Sequence, residues 1–166
     1  MAELTTPRDL FLHELGDIMY VEQKLSTEVL PKLVSEVTDE EFRDALEQHL
    51  EQTKRHLTNV EKVFEELGES PHAEQCIGFE GLKSEHDKLL SEASPDLVDS
   101  IDLGAAARTE CYEIAAYEGL RRMAKAMGED KAVDLLDKNL SEEKDALQLV
   151  EKIATRVSRE AAQAPA

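Results

Sequence analysis

The sequence predicts an all-α protein, built as a four-helix bundle with one long crossover that carries a short extra helix. The 166 residues are 41% hydrophobic and 34% charged, only 4% are aromatic, and Trp is absent, which is typical of helical proteins. Apolar residues recur at helical spacing along four long segments. The second and third of these are separated by roughly 33 residues, whereas the other two connections are very short.

The first long segment covers roughly 7–36. Thr6 followed by Pro7, with Asp9 in the first turn, marks its start, because Pro is well tolerated at the first helical position. A single continuous helix is expected. Its inner face is predicted to consist of Phe11, Leu15, Ile18, Glu22, Leu25, Val29 and Leu33.

The second long segment covers roughly 39–67 and is expected to lie antiparallel to the first, since the connection is short. Thr38 and Glu41 fit a capping box at its start, and Gly68 is a plausible stop.

The third and fourth segments, roughly 102–127 and 130–158, are predicted to form a second hairpin across Gly128. The crossover, 69–101, contains a shorter helix candidate at 79–93. Such a crossover would travel the length of the bundle and let the third segment start near the start of the first, which is the ferritin-like arrangement. The alternative is an up-down bundle with a long surface loop.

Length and composition indicate one domain over residues 1–160, followed by a frayed tail at 161–166. No signal peptide and no membrane-spanning apolar run are visible, so a cytoplasmic protein is expected. Cys76 and Cys111 form no CxxC pair and indicate neither a disulfide framework nor a zinc site. The net charge of −18 argues against nucleic acid as a partner and is compatible with cation binding or with a high-salt habitat.

Four glutamates occupy positions where the helical period calls for apolar residues. With about 100° of rotation per residue, Glu22 and Glu143 lie at the centre of the inner faces of the first and fourth segments. Glu110 and Glu113 share the inner face of the third, one turn apart. Glu142 lies near the edge of the fourth segment's inner face.

Two histidines lie on the inner face of the second segment. His49 and His56 both fall on its stripe, with Gln52 at the margin, whereas Glu51 points the opposite way and is rejected as a core residue. Tyr117, one turn beyond Glu113, is a candidate hydrogen-bond partner for an inner carboxylate, or core filling. The remaining histidines, His13, His72 and His86, are expected to be solvated.

The inner polar residues lie near the middle of their helices, so a bundle would bring them to one level. Four buried carboxylates cannot all stay ionised without a partner, because burying a bare charge costs about several kcal/mol. No Lys or Arg lies at that level, and carboxylates with imidazoles suit two ions of iron or manganese. Each glutamate alone could instead be a rim residue or half of an ion pair. The predicted metal ligands are Glu22, His49, His56, Glu110, Glu113 and Glu143. Gln52 and Tyr117 are predicted to contact these ligands and not the metal.

Several stretches carry a family resemblance: LGDIMYVEQKL (15–25), HLEQTKRHLTNVEKVFEELG (49–68), CIGFEGL (76–82), ECYEIAAYEGL (110–120) and LSEEKDAL (140–147). The chain resembles the YciF-like family of ferritin-like stress proteins. The resemblance implies a ferritin-like bundle, usually a dimer, related to rubrerythrins and manganese catalases, with metal ligands at Glu22, Glu110, Glu113 and Glu143.

The sequence departs from the rubrerythrin-like pattern at two places. The ExxH of the second helix is not in register, and Ala146 stands where the fourth helix of those relatives has His. A carboxylate-rich site with one weakly occupied metal position, or a vestigial site, is therefore an open alternative.

These observations leave three functional hypotheses. The first is a dimetal-carboxylate stress-response protein that reacts with peroxide or O2 as a peroxidase- or catalase-like oxidoreductase, within a homodimer. Because no CxxC pair is present, its electrons would come from an external donor, or the reaction would be a dismutation. The second is a non-enzymatic structural or metal-sequestering stress protein with a vestigial metal site. The third is an interaction module whose acidic exterior recruits a basic partner. No catalytic residue is assigned.

Overall fold

The computed structural model describes residues 4–163, and within that range it contains helices and turns but no strand. None of the helices in this range has the length and apolar composition needed to cross a membrane. The elements are α1 (Pro7–Lys24), a π-helical turn (Leu25–Val29), α2 (Leu30–Glu36), α3 (Glu40–Glu66), α4 (Ile77–Glu92), a 3-10 turn (Pro95–Leu97), α5 (Val98–Met127) and α6 (Asp130–Gln163).

Polar contacts at the helix ends define the topology of the bundle. Arg8 donates to the carbonyl of Leu67 at 2.7 Å, so α1 begins beside the end of α3. The backbone N–H of Asp39 donates to Asp99 at 3.0 Å, so α5 begins beside the start of α3. Arg156 pairs with Asp39 at 2.7 Å, so α6 ends there too. Helices α3 and α5 are therefore parallel, and α1 and α6 run in the opposite direction.

The crossover between α3 and α5 carries α4 along the outside of the bundle, where α4 packs on α5. This confirms the predicted all-α bundle with one long crossover and a short extra helix, and the up-down alternative is wrong. The expectation that the third long helix starts near the start of the first is also wrong. Since α3 already returns the chain to the start of α1, a crossover along the bundle ends at the opposite end.

The first long helix is interrupted by a π-helical turn, which the sequence analysis did not predict. Pro31 accounts for it, since proline has no N–H to donate to the carbonyl four residues earlier and its ring crowds that turn. The N–H of Leu30 instead bonds the carbonyl of Leu25, one residue further back. The extra residue shifts the inner face, so Leu30 is buried and Val29, predicted as core, is only half-buried.

The helix ends follow the predicted signals with one exception. Thr6 caps α1 in a capping box with Asp9, and Gly68 and Gly128 have φ of 74° and 79°, the left-handed region that favours glycine. The predicted capping box at Thr38 is wrong, because the Thr38 backbone and hydroxyl both donate to the Asp99 carboxylate. The neighbouring Asp39 caps α3 instead.

The third long helix starts earlier than predicted, and the fourth ends later. Helix α5 begins at Val98 rather than near 102, and α6 continues to Gln163 rather than to about 158. Residues 161–163 are the exposed last residues of α6. The remainder of the predicted frayed tail, 164–166, lies outside the described residues.

The crossover approaches α1 closely at Gly16. The N–H of Glu74 donates to the carbonyl of Gly16 at 3.0 Å, and a Cβ at Gly16 would lie 3.3 Å from the Glu74 backbone N and 2.9 Å from its Cγ. We expect Gly16→Ala to lower the free energy of unfolding by about 1–2 kcal/mol, because the crossover must shift. Gly81→Ala is the control, since nothing lies within 4 Å of its added Cβ. Urea unfolding measures both, and a stabilised Gly16→Ala would contradict this account.

Candidate metal centre

Six polar side chains from all four long helices are buried at the middle of the bundle. Their relative exposures are 0% for Glu22, His56, Glu113 and Glu143, 4% for Glu110 and 7% for His49. The predicted convergence of these residues is therefore observed. Among residues 4–163, the salt-bridge partners of Glu22, Glu110 and Glu143 are histidines and neither Lys nor Arg, and Glu113 has no such partner. Glu51 is exposed, in agreement with its rejection as a core residue.

One cluster of potential metal ligands combines α3, α5 and α6. Glu110 and Glu113 are three residues apart on α5 and therefore face the same side of that helix. Nε2 of His49 lies 3.2 Å from Oε1 of Glu110 and 3.8 Å from Oε2 of Glu143. One donor atom from each of these four residues falls within 4.8 Å of the others. We call this group the His49 cluster.

A second cluster combines α1, α3 and α6. His56 lies two turns beyond His49 on the same face of α3. Its Nδ1 is 2.7 Å from Oε1 of Glu143 and 3.6 Å from Oε1 of Glu22, and the three residues again offer donors within 4.8 Å of one another. We call this group the His56 cluster. Glu143 belongs to both clusters and presents a different carboxylate oxygen to each histidine.

The unpartnered atoms of the clusters indicate what the site is built to hold. Within residues 4–163, eight of the ten buried side-chain N and O atoms without a hydrogen bond belong to these six residues. Both oxygens of Glu113 are among them, and so are both oxygens of Glu143, although its Oε1 lies 2.7 Å from His56 Nδ1 in a charge contact without hydrogen-bond geometry. Buried polar atoms are normally satisfied, so their concentration at one place signals a missing partner. Carboxylate oxygens with one imidazole in each cluster form a donor set that fits iron or manganese.

Burial and mutual repulsion keep protons on part of the site when no metal is bound. Burial raises the pKa of Glu110 and of Glu113 well above the ordinary carboxyl value, and the Glu143 charge adds to the effect. Burial also raises the pKa of Glu22 to about 7. Glu110 and Glu113 therefore hold their protons more tightly than ordinary carboxyl groups do in the metal-free chain.

His56 and Glu143 form the charged pair of the metal-free site. Burial by itself lowers the pKa of His56, but the carboxylates of Glu143 and Glu22 outweigh it and raise the pKa to about 10. Burial by itself raises the pKa of Glu143, but the two histidines reverse this and the net pKa is lowered. Burial lowers the pKa of His49, which is therefore neutral. A charged His56 carries a hydrogen on each ring nitrogen, including Nδ1, which faces Glu143 and Glu22.

The outer nitrogen of His56 is held by a carboxylate. Nε2 lies 2.9 Å from Oε2 of Glu142, which also accepts from Arg55 at 3.2 Å. A carboxylate on the outer nitrogen of a metal-binding His fixes its ring and raises its basicity. From the helical period, Glu142 was expected only near the edge of the inner face. His49 differs, because its Nδ1 has no hydrogen-bond partner in the described part of the chain, so a role for half-buried Gln52 stays a prediction.

Tyr117 and Asn139 orient Glu22. The Tyr117 hydroxyl donates to Oε1 of Glu22 and accepts from Nδ2 of Asn139 at 3.0 Å. The same Nδ2 donates to the His56 carbonyl at 3.2 Å, and Oδ1 of Asn139 accepts from Asn59 at 2.8 Å. The contact proposed for Tyr117 from the sequence is therefore present. Asn139 was missed, although it lies four residues before Glu143 and hence on the same face of α6.

The remaining histidines and cysteines lie outside the clusters. His86 was expected to be solvated, but this is wrong, since its Nε2 is 2.7 Å from the carboxylate of Asp102, which is 1% exposed. Cys76 is buried at the start of α4 and Cys111 is exposed, and both are free, as predicted.

We expect metal binding to weaken steeply as pH falls. Glu110, Glu113 and His56 hold their protons more tightly than ordinary carboxyl and imidazole groups and must lose them to bind a cation, so loading should release protons. Affinity then changes by about tenfold per pH unit for each proton released. Mn2+ titration calorimetry at pH 7, in buffers of different ionisation enthalpy, counts the protons. The pH dependence of the affinity is measured as the rise in thermal midpoint that Mn2+ causes at pH 6, 7 and 8, relative to the metal-free protein at the same pH. A rise that is the same at all three pH values would contradict the prediction.

Solved structures of similar proteins share this fold. The Rhodopseudomonas palustris protein YcfI, described as a candidate structural protein, superimposes with a TM-score of 0.86 at 35% identity, over 90% of this chain and 95% of that one. The crystal structure of the Escherichia coli stress protein YciF also gives a TM-score of 0.86, at 29% identity, over 93% of this chain and 98% of that one.

The sequence comparisons agree with the structural ones. Protein YciF of Escherichia coli (strain K12) is 33% identical over 143 residues, which cover 85% of this chain and 86% of that protein. The resemblance to YciF-like proteins is thereby confirmed. The family described as a domain of unknown function, DUF892, matches residues 6–163, nearly the whole chain, and the chain therefore belongs to the DUF892 family.

Proposed function

We propose that the chain is a ferritin-like stress-response protein that holds two ions of iron or manganese, one in the His49 cluster and one in the His56 cluster, and reacts with peroxide or O2. The observation that carries the proposal is the position of Glu143, a fully buried carboxylate common to both clusters. The description of Escherichia coli YciF as a stress protein supports the physiological setting.

Two redox-active ions bound there would supply the electron exchange with a small oxidant. The chain supplies the surroundings. The Tyr117 hydroxyl holds Glu22 in place, and Glu142 holds His56. Both oxygens of Glu113 are unpartnered, so this carboxylate can change position without breaking a hydrogen bond.

The test measures metal content and peroxide loss together. After loading with Fe2+ or Mn2+ and desalting, we expect about two ions per chain and catalytic loss of peroxide, both reduced by Glu110→Ala. Glu51→Ala is the matched control, because Glu51 is exposed on α3 and should change neither. Fewer than about 0.2 ions per chain, with Glu110→Ala equal to wild type, would overturn the proposal.

The alternative is a structural or metal-sequestering protein without turnover. The description of Rhodopseudomonas palustris YcfI favours it. Such a protein would bind metal stoichiometrically, or not at all, and leave peroxide unchanged after the first equivalent. The homodimer and the external electron donor stay predictions and accompany either function.

A further inference from the structure

A cavity of about 230 Å³ adjoins the His49 cluster. It lies in the half of the bundle where α3 and α5 begin, and His49 and Glu110 form part of its wall. The rest of the wall is mainly apolar, with Leu25, Leu30, Phe42 and Leu46 among its residues. Protein interiors leave few voids larger than a water molecule, so a space of this size beside a polar cluster calls for an occupant.

Small side chains create the space. Four alanines from three helices line it: Ala45 on α3, Ala105 and Ala106 on α5, and Ala146 on α6. Ala146 is the position where the rubrerythrin-like pattern would have His, so the departure noted in the sequence widens the cavity. A leucine at any of these positions would fill part of the volume.

The cavity has a polar inner end and an opening to solvent. The inner end is formed by His49 and Glu110, which are only 7% and 4% exposed. The exposed residues Gln48 and Asp145 also line it and place an opening between α3 and α6. On the wall formed by α4, Lys83 and His86 add two further polar groups.

We propose that this cavity binds a small aliphatic molecule with a terminal oxygen, the chain lying among the alanines and leucines and the oxygen facing His49 and Glu110. The cavity volume is too large for peroxide or O2 to be its sole occupant. An apolar cavity of about 150 Å³ accommodates the six heavy atoms of benzene, so this one suits about nine. Water is a poor occupant because apolar walls offer it few hydrogen bonds. This assignment rests on the proposed function, and it makes an alkyl hydroperoxide the substrate class of the metal site.

The binding test uses 1-octanol, with nine heavy atoms, and the metal-free protein. Titration calorimetry should show one saturable site per chain. Ala106→Leu should weaken binding by about tenfold or more, and the matched control Ala115→Leu, exposed on the same helix, should leave it within about twofold. Ala45→Leu on α3 repeats the test should Ala106→Leu fail to fold. No saturable binding, or equal binding by all variants, overturns the inference.

A second arm separates this inference from the proposed function. Reduction of octyl hydroperoxide breaks its O–O bond and yields 1-octanol and water, consuming two protons and two electrons, which added ascorbate supplies. The metal-loaded protein should consume it faster than Ala106→Leu does, with hydrogen peroxide consumed equally by both. Binding of 1-octanol without consumption of either peroxide supports the cavity site and overturns the proposed reaction with peroxide. Consumption of hydrogen peroxide without 1-octanol binding overturns the cavity site alone.

Discussion

Replacing Glu143 by glutamine should abolish metal binding in both clusters. Oε1 of Glu143 lies 2.7 Å from His56 Nδ1 and Oε2 lies 3.8 Å from His49 Nε2, so one side chain completes both donor sets. Glutamine keeps the shape but removes the charge and replaces one oxygen with an amide N–H2 that cannot bind a cation. Metal content after loading and desalting should fall from about two ions per chain to fewer than about 0.2.

The comparison with Glu22→Gln makes this prediction specific to a shared carboxylate. Glu22 belongs to the His56 cluster alone, so its replacement should leave about one ion per chain. Glu51→Gln, on the exposed side of α3, controls for general loss of negative charge and should leave both ions bound. Elemental analysis of the three variants distinguishes the cases. Equal losses in Glu143→Gln and Glu22→Gln would mean that Glu143 does not join the two clusters.

The bundle could be predicted from the sequence because its signals are local. Apolar spacing, the cap at Thr6 and the glycines after α3 and α5 depend on residues within one or two turns. The direction of α5 depends on how far the crossover travels, which is a property of the whole bundle. That is why the start of the third long helix was misplaced while its existence and inner face were right.

The convergence of the six cluster residues could be predicted for the same reason. A glutamate on an apolar stripe must be buried if the helix packs at all, and the midpoints of packed helices meet. The sharing of Glu143 could not be predicted, because which histidine faces which carboxylate oxygen depends on helix rotations of a few tens of degrees. Whether these side chains bind metal stays a prediction.

The features that the sequence analysis missed depend on contacts between distant segments. Asp39 caps α3 because the backbone N–H and the hydroxyl of Thr38 both donate to Asp99. His86 is half-buried because it contacts Asp102 between α4 and α5. The π-helical turn is different, since Pro31 was visible in the sequence. A proline inside an expected helix interrupts its hydrogen bonds, and the shift from Val29 to Leu30 follows from that.

Replacing Glu113 by methionine should stabilise the metal-free protein. Glu113 is fully buried, and neither of its oxygens has a hydrogen bond. An unsatisfied buried polar group costs about 1–3 kcal/mol, and methionine of similar volume removes that cost. The free energy of unfolding in urea with a chelator present should therefore rise by about 1–3 kcal/mol.

The gain should depend on pH with a defined sign. Burial raises the folded-state pKa of Glu113 well above the unfolded value near 4.5. A group whose pKa is raised by folding contributes most to the free energy of unfolding at a pH below its unfolded-state pKa. That contribution is lost as pH rises through its folded-state pKa. Wild type should therefore lose stability relative to Glu113→Met as pH rises above the unfolded value, so the advantage of the variant grows with pH.

Metal loading should reverse the order of the two proteins. With Mn2+ present, wild type gains the free energy of binding at a site that Glu113→Met has damaged, so its thermal midpoint should pass that of the variant. Glu51→Met, at an exposed position, should change stability by less than about 0.5 kcal/mol in either state. A destabilised metal-free Glu113→Met would show that the carboxyl has a partner within the protein. If loading reverses the order of stability, Glu113 stabilises the metal-bound protein and destabilises the metal-free protein, as expected of a metal ligand. A residue with a purely structural role would not reverse the order.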